Sequence, residues 1–167
     1  LGAPASEAPR VRVAAAILAP GGLVVVTQHK HGSSYALLPG GGVAWGEPLD
    51  KALEREVLEE IGLPIAVEQL LLVNDSIAPD GSRHVINLTF SARPLSSTDS
   101  LTPHDPAVDA VLVVPLDELA SLDLRPPIAR HLLHALGNDR LLPCATYLGA
   151  LWVHDLDDAR NGRSPGR

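Results

Sequence analysis

Glu56, Glu59 and Glu60 lie within the segment GEPLDKALEREVLEEIGL, residues 46–63. At about 100° per residue, positions i, i+3 and i+4 share one side of a helix. Leu49, Ala52, Leu53, Val57 and Ile61 mark the apolar stripe of that helix, yet Glu56 and Glu60 fall inside the stripe and Glu59 borders it. A carboxylate withdrawn from water costs roughly several kcal/mol unless something compensates it, and neighbouring carboxylates repel each other as well. A divalent cation with oxygen ligands relieves both problems, which predicts metal-assisted chemistry. The alternative is a rotated helix with its glutamates in water, paired to Lys51 and Arg55 at helical spacing.

The flanking residues favour the metal. Gly41 is followed by five residues and Glu47, then seven more and Arg55-Glu56, then Val57, Glu59-Glu60, Gly62 and Leu63. This resembles the signature box of the Nudix hydrolase family, Gly-x5-Glu-x7-Arg-Glu-U-x-Glu-Glu-x-Gly-U with U aliphatic. All nine fixed positions are filled across 23 residues. Glycines at 40–42 let the backbone turn tightly and approach a metal or phosphate, since they carry no Cβ.

The resemblance implies an α/β fold, an α/β/α sandwich around a mixed sheet. It also implies hydrolysis of a phosphoanhydride in a nucleoside diphosphate linked to another group. Glu56 and Glu60 are then the main ligands of Mg2+ or Mn2+, with Glu59 sharing or bridging a second ion and the carbonyl of Gly40 or Gly41 completing the set. Glu59, Arg55 and Glu47 are the implied catalytic group, the arginine orienting the glutamates. Some members of the family take their general base from a loop before a strand matching AVLVVP (110–115); here Ala110 stands where a glutamate is expected, which leaves Asp109 and Asp105 as substitutes.

Substrate-binding candidates are His29, Trp45, Pro79 and Asp109. His29 and His31 flank Lys30, where they would face phosphates or simply form a polar loop. For the aromatic residues Trp45, Tyr35, Phe90 and Trp152, core packing is the expectation and base stacking the alternative. Pro79 falls seventeen residues after Gly62, close to the proline that the ADP-ribose-type enzymes carry at sixteen, although a PDGS turn also accounts for it. The tyrosine of dinucleoside polyphosphate hydrolases and the long motif of the NADH type are missing. ADP-ribose or another nucleotide sugar is the leading expectation, with a (deoxy)nucleoside triphosphate second. A non-catalytic nucleotide-sensing module is the competing class, but such descendants typically lose a glutamate or the arginine.

The elements that must position these residues read as follows. VRVAAAIL (11–18) and LVVVTQH (23–29) form a hairpin through APGG, KHGSSY is a loop, and ALLP (36–39) leads into the glycines. The helix runs from Pro48, suited to a first helical position, to a stop at Gly62. Strands at 64–78 and 83–93 flank the PDGS turn, and residues 94–109 form a long polar loop. A strand at 110–115, a short helix at 116–122, a helix at 126–136 and a last strand at 146–153 complete a single domain over 11–154. Residues 1–10 are expected to be flexible and 155–167 disordered.

At 167 residues the chain is long enough for one core. Its formal charge of −7 and the lack of a Lys/Arg stripe argue against nucleic-acid polymers and acidic membranes, and five Phe, Trp or Tyr residues are too few for a stacking surface. A nucleotide substrate must therefore have its phosphates neutralised by something else. Cys144 is alone, which excludes an internal disulfide and reads as a small buried hydrophobe. No apolar run reaches the roughly 20 residues of a membrane span, and the first ten residues lack a signal pattern, so cytoplasm is the expected location. Residues 146–153 either exchange between subunits of a homodimer or close the sheet.

Overall fold

Residues 11–18 and 23–26 are almost unbroken apolar runs, the pattern of strands covered on both faces. The computed structural model, which describes residues 8–137 and 145–152, realises that pattern. Along β1 (Arg10–Ala19), Val13, Ala15 and Ile17 enter one core, whereas Ala14 and Ala16 enter another on the opposite face. The same split along β2 (Gly22–Lys30) sends Val24 and Val26 one way and Leu23 and Val25 the other.

Each core is closed by a helix. Ala52, Leu53, Val57 and Ile61 of α1 (Leu49–Ile61) pack on the first face; Leu132 and Ala135 of α2 (Ala129–Gly137), with Ile128 just before it, pack on the second. Each fully buried aliphatic side chain contributes about 1.5–3 kcal/mol. The layers are helix, mixed sheet, helix, as expected.

The first hairpin holds only at its turn, where Leu18 pairs with Leu23 and Ala19 with Gly22. Beyond it the strands diverge. β1 runs parallel to β6 (His84–Pro94) and antiparallel to β4 (Gly40–Gly42), so the glycine stretch is itself a short strand rather than only a turn. β2 pairs with β3 (Ser33–Leu37) and β7 (Ala110–Val114). Most of KHGSSY is therefore strand, because Lys30 and Ser33 close a tight turn through His31 and Gly32. β5 (Ile65–Ile77) pairs antiparallel with β6 across the PDGS turn and parallel with β8 (Thr146–Ala150).

Pro48 stands just before the helix instead of inside it, and Gly62 ends it in the left-handed conformation at φ 69°. The short helix expected at 116–122 is reduced to a 3-10 turn at Leu119–Ser121. No helix among the described residues is long and apolar enough to cross a membrane. Cys144 and the segment 155–167 lie outside the described residues.

Candidate functional site

The buried stripe of α1 carries Glu60 with it: the residue is only 8% exposed, beside Val57 and Ile61. Its Oε2 accepts a hydrogen bond from the Gly40 N–H at 2.9 Å. Burial raises the Glu60 pKa above the usual carboxylate range; the Gly40 bond and the Arg12 charge oppose that rise, while Glu56 and Asp105 add to it. The outward-rotated helix is thus ruled out for Glu60. Glu59 differs, since its side chain is 62% exposed and lies at the rim.

Arg55 organises the remaining carboxylates. Its Nε and Nη2 donate to the two oxygens of Glu47 at 2.8 and 2.9 Å, a bidentate fork. Nη1 donates to Glu56 at 2.7 Å and to Glu59 at 3.3 Å, and Nη2 reaches the Gly42 carbonyl at 3.2 Å. Glu47 also accepts the Ala44 N–H at 3.1 Å, which pins the loop before α1. The Arg55 bonds, followed by the Ala44 bond, hold the Glu47 pKa down at about 2. The same bonds to Glu47 and then Glu56 raise that of Arg55.

Two glycines make this packing possible. At Gly41 an added Cβ would fall onto the Glu56 carboxylate, which presses directly on the backbone there. At Gly40, with φ 146°, an added Cβ would strike the Val13 carbonyl of the neighbouring strand.

Arg12 went unrecognised in the sequence. It donates to the carbonyls of Leu38 at 3.0 Å and Gly40 at 3.3 Å, and burial lowers its pKa against the pull of Glu60 and Glu56. A signal did exist, because Arg12 has the same strand parity as the buried Ala14 and Ala16, a charge on a core-facing row much as Glu60 is on the helix.

The cluster of Glu47, Glu56, Glu59 and Glu60 against Arg55 and Arg12 leaves two negative charges uncompensated. Together with the Gly40 and Gly41 carbonyls this is a hard oxygen donor set with an unmet need for positive charge, which fits a hard divalent cation. Among the described residues no three acidic, histidine or cysteine side chains stand gathered at ligating distance. Arg55 engages Glu56 and Glu59, and Gly40 engages Glu60.

The other candidates fall outside this cluster. His29 is exposed and bonded to Ser34 at 3.0 Å. Pro79 is exposed in the β5–β6 turn, where Gly81 donates to Ala78. Asp109 is exposed and fixed through its N–H to Thr27, whereas Asp105 lies near enough to Glu60 to act on its charge. Trp45 corrects the packing expectation, for it is fully exposed on the loop before Glu47. Phe90 does pack against the α1-side core. Tyr35 is half-buried beneath the Arg125 guanidinium, 4.5 Å from its ring centroid.

The family model described as the NUDIX domain matches residues 8–136. The chain belongs to the Nudix family and is a Nudix hydrolase. Among solved structures, a MutT NUDIX hydrolase from Burkholderia pseudomallei is 31% identical, with a TM-score of 0.55 over 66% of this chain and 85% of that one. A NUDIX hydrolase from Nitrosomonas europaea is 24% identical, TM-score 0.67, over 81% and 94%. An ADP-ribose pyrophosphatase from Streptococcus suis is 20% identical, TM-score 0.63, over 84% and 99%. The last two speak for the fold alone. No curated protein matches the chain.

Proposed function

We propose that this Nudix hydrolase cleaves a phosphoanhydride bond in a nucleoside diphosphate linked to a further group, with Mg2+ or Mn2+ held by Glu56, Glu60, Glu59 and the carbonyl of Gly40 or Gly41. The observation that carries the reading is the buried Glu60 carboxylate beside Glu56, against glycine backbone, with two negative charges unanswered. When bound, the ions supply charge to polarise the phosphoanhydride and to lower the pKa of an attacking water.

The chain's own residues then have distinct tasks. Arg55, locked by its fork to Glu47, is a positioning residue that sets the orientation of Glu56 and Glu59. Glu59, the most exposed of the box glutamates on α1, is open to water and takes the role of general base. Asp105 is the loop carboxylate we assign to assist, because its charge adds to the rise in the Glu60 pKa.

For the linked group, a nucleotide sugar such as ADP-ribose is one class; the fold neighbours include proteins described as an ADP-ribose pyrophosphatase and a UDP-X diphosphatase. The turn around Pro79 accounts for that proline and lends this class no separate support. A nucleoside triphosphate is the second class. The test is a screen of nucleotide substrates with Mg2+ or Mn2+. Turnover should require the metal and fall at least about 100-fold in Glu60→Gln, the scale of a lost metal or catalytic contact. Undiminished turnover in both Glu60→Gln and Glu59→Gln rejects the site. Binding without any turnover supports the sensing module instead.

A further inference from the structure

Residues 95–109 link β6 to β7 without a helix or strand of their own. A connection of that length needs anchors if any residue on it is to hold a fixed place. Two anchors are apolar: Val108 is buried in the α1-side core, and Leu101 packs against the same core. Between them the chain touches the end of α1.

The last carbonyls of a helix lack partners inside it. In α1 the Gly62 N–H answers Leu58, and the loop answers Glu60, for the His104 N–H donates to the Glu60 carbonyl at 2.8 Å. The His104 ring then lies directly on Gly62, where an added Cβ would fall on its Cε1, Nδ1 and Nε2. Gly62 is therefore bare for two reasons, its left-handed φ of 69° and the imidazole that fills the space a side chain would take. The fit is one of shape. His29 and His84 bond Ser34 and Asp75 through ring nitrogens, whereas those of His104 engage no side chain among the described residues.

Asp105 comes next in the chain. Its Oδ1 accepts the Ala107 N–H at 2.7 Å and its carbonyl accepts the Val108 N–H at 3.0 Å, so a tight turn fixes the side chain. Oδ2 has no donor among the described residues. His104 thus ties the Asp105 turn to the backbone of Glu60, the residue whose carboxylate is buried in the cluster.

We propose that His104 is a positioning residue for the hydrolysis: its ring, seated on Gly62, and its N–H, bonded to the Glu60 carbonyl, hold Asp105 beside the box glutamates. This role rests on the proposed hydrolysis and on Asp105 as its assisting carboxylate. The ring serves by its flat shape and takes no proton in the reaction. The influence of the Asp105 charge on Glu60 agrees with that placement.

The test measures kcat and KM separately, with Mn2+ and the nucleotide that the wild type turns over fastest, in His104→Ala, His104→Phe, Asp105→Asn and the double variant His104→Ala/Asp105→Asn. His104→Ala should lower kcat about tenfold with KM within about twofold, the order expected when an assisting group loses its fixed place. Phenylalanine offers a flat ring without the nitrogens, so His104→Phe should keep kcat within about threefold of wild type. In the double variant the loss should match that of Asp105→Asn alone, because nothing remains to be positioned. Four results each overturn the proposal while leaving the hydrolase reading intact: wild-type kcat in His104→Ala, wild-type kcat in Asp105→Asn, a His104→Phe as slow as His104→Ala, or losses that multiply in the double variant.

A second measurement needs neither turnover nor a variant. In NMR spectra of the wild type, the His104 ring protons should show nuclear Overhauser contacts to the Gly62 α-protons, and the His104 amide should exchange at least about tenfold more slowly than that of Thr102. Absence of both overturns the proposal whatever the kinetics show. If the contacts are present but the wild type turns over no nucleotide, the hydrolysis fails and the positioning role falls with it.

Discussion

The carboxylate cluster and a cationic cleft that Arg12 lines are linked through the bonds of Gly40 to Glu60 and to Arg12, yet they are constructed in opposite ways. Glu47, Arg55, Glu56, Glu59 and Glu60 span fourteen residues of one loop and one helix, so a single amphipathic segment brings them together. Arg12, Lys30, Arg83 and Arg125 span 114 residues, and only the pairing of β1 with β6 and the packing before α2 assembles them. The first region is negative and internally cross-linked by Arg55, whereas the second is positive, and two of its cations, Lys30 and Arg83, have no ion-pair partner among the described residues. A locally encoded site carries its own ordering device; a site built from distant loops borrows its order from the sheet.

That contrast can be broken most severely at Arg55. In Arg55→Ala the fork to Glu47 and the bonds to Glu56 and Glu59 are lost together, and kcat/KM should fall about 100-fold or more, given roughly 1.5–3 kcal/mol for each charge-assisted bond. Arg55→Lys should recover only part of this, since an ammonium cannot reproduce the fork. A loss below about tenfold in Arg55→Ala would mean that the helix alone orders the cluster.

Gly41→Ala is the next largest effect. The added methyl displaces the Glu56 carboxylate, the flexible end of a side chain, so Mn2+ affinity by titration should weaken about 10- to 100-fold with little change in melting temperature. Gly40→Ala should differ, because its methyl meets backbone and strains a positive φ; thermal stability itself should drop.

Arg12→Met probes the junction. It removes the side-chain donor from the Leu38 and Gly40 carbonyls and a favourable charge from Glu60, and should cost about 1–3 kcal/mol of stability in urea denaturation. If stability is unchanged, the two regions are joined less tightly than the hydrogen bonds indicate.

The smallest effect is a titration. Glu47 should titrate near pH 2 by NMR, below its ordinary 4.5, and return toward that value in Arg55→Ala. Because the folded pKa is the lower one, the stabilisation is fully present above pH 4.5 and is lost as pH falls toward about 2. A Glu47 midpoint near 4.5 in the wild type would show that the fork is not formed in solution.

Much of the fold was legible in local pattern. The apolar runs of β1 and β2, the PDGS turn between β5 and β6, and the stop at Gly62 each appear where residue types demand them. Pairing partners were less legible. The divergence of β1 and β2 beyond their turn depends on β6 and β7 arriving from 75 to 91 residues away, which no local periodicity encodes. Trp45 misled for a related reason, since an aromatic residue reads as core unless the path of its loop is known.

By itself the sequence determined which face of α1 carries the carboxylates. Helical spacing, a glycine stretch and an arginine one position before a glutamate suffice, because all of them act within one continuous segment whose geometry the backbone dictates. Only the tertiary structure decided that Glu60 is buried while Glu59 is not, and that Arg12 meets Gly40 from behind. It likewise gathered scattered cations into one cleft, since exposure and long-range proximity are properties of packed layers rather than of any single stretch of chain.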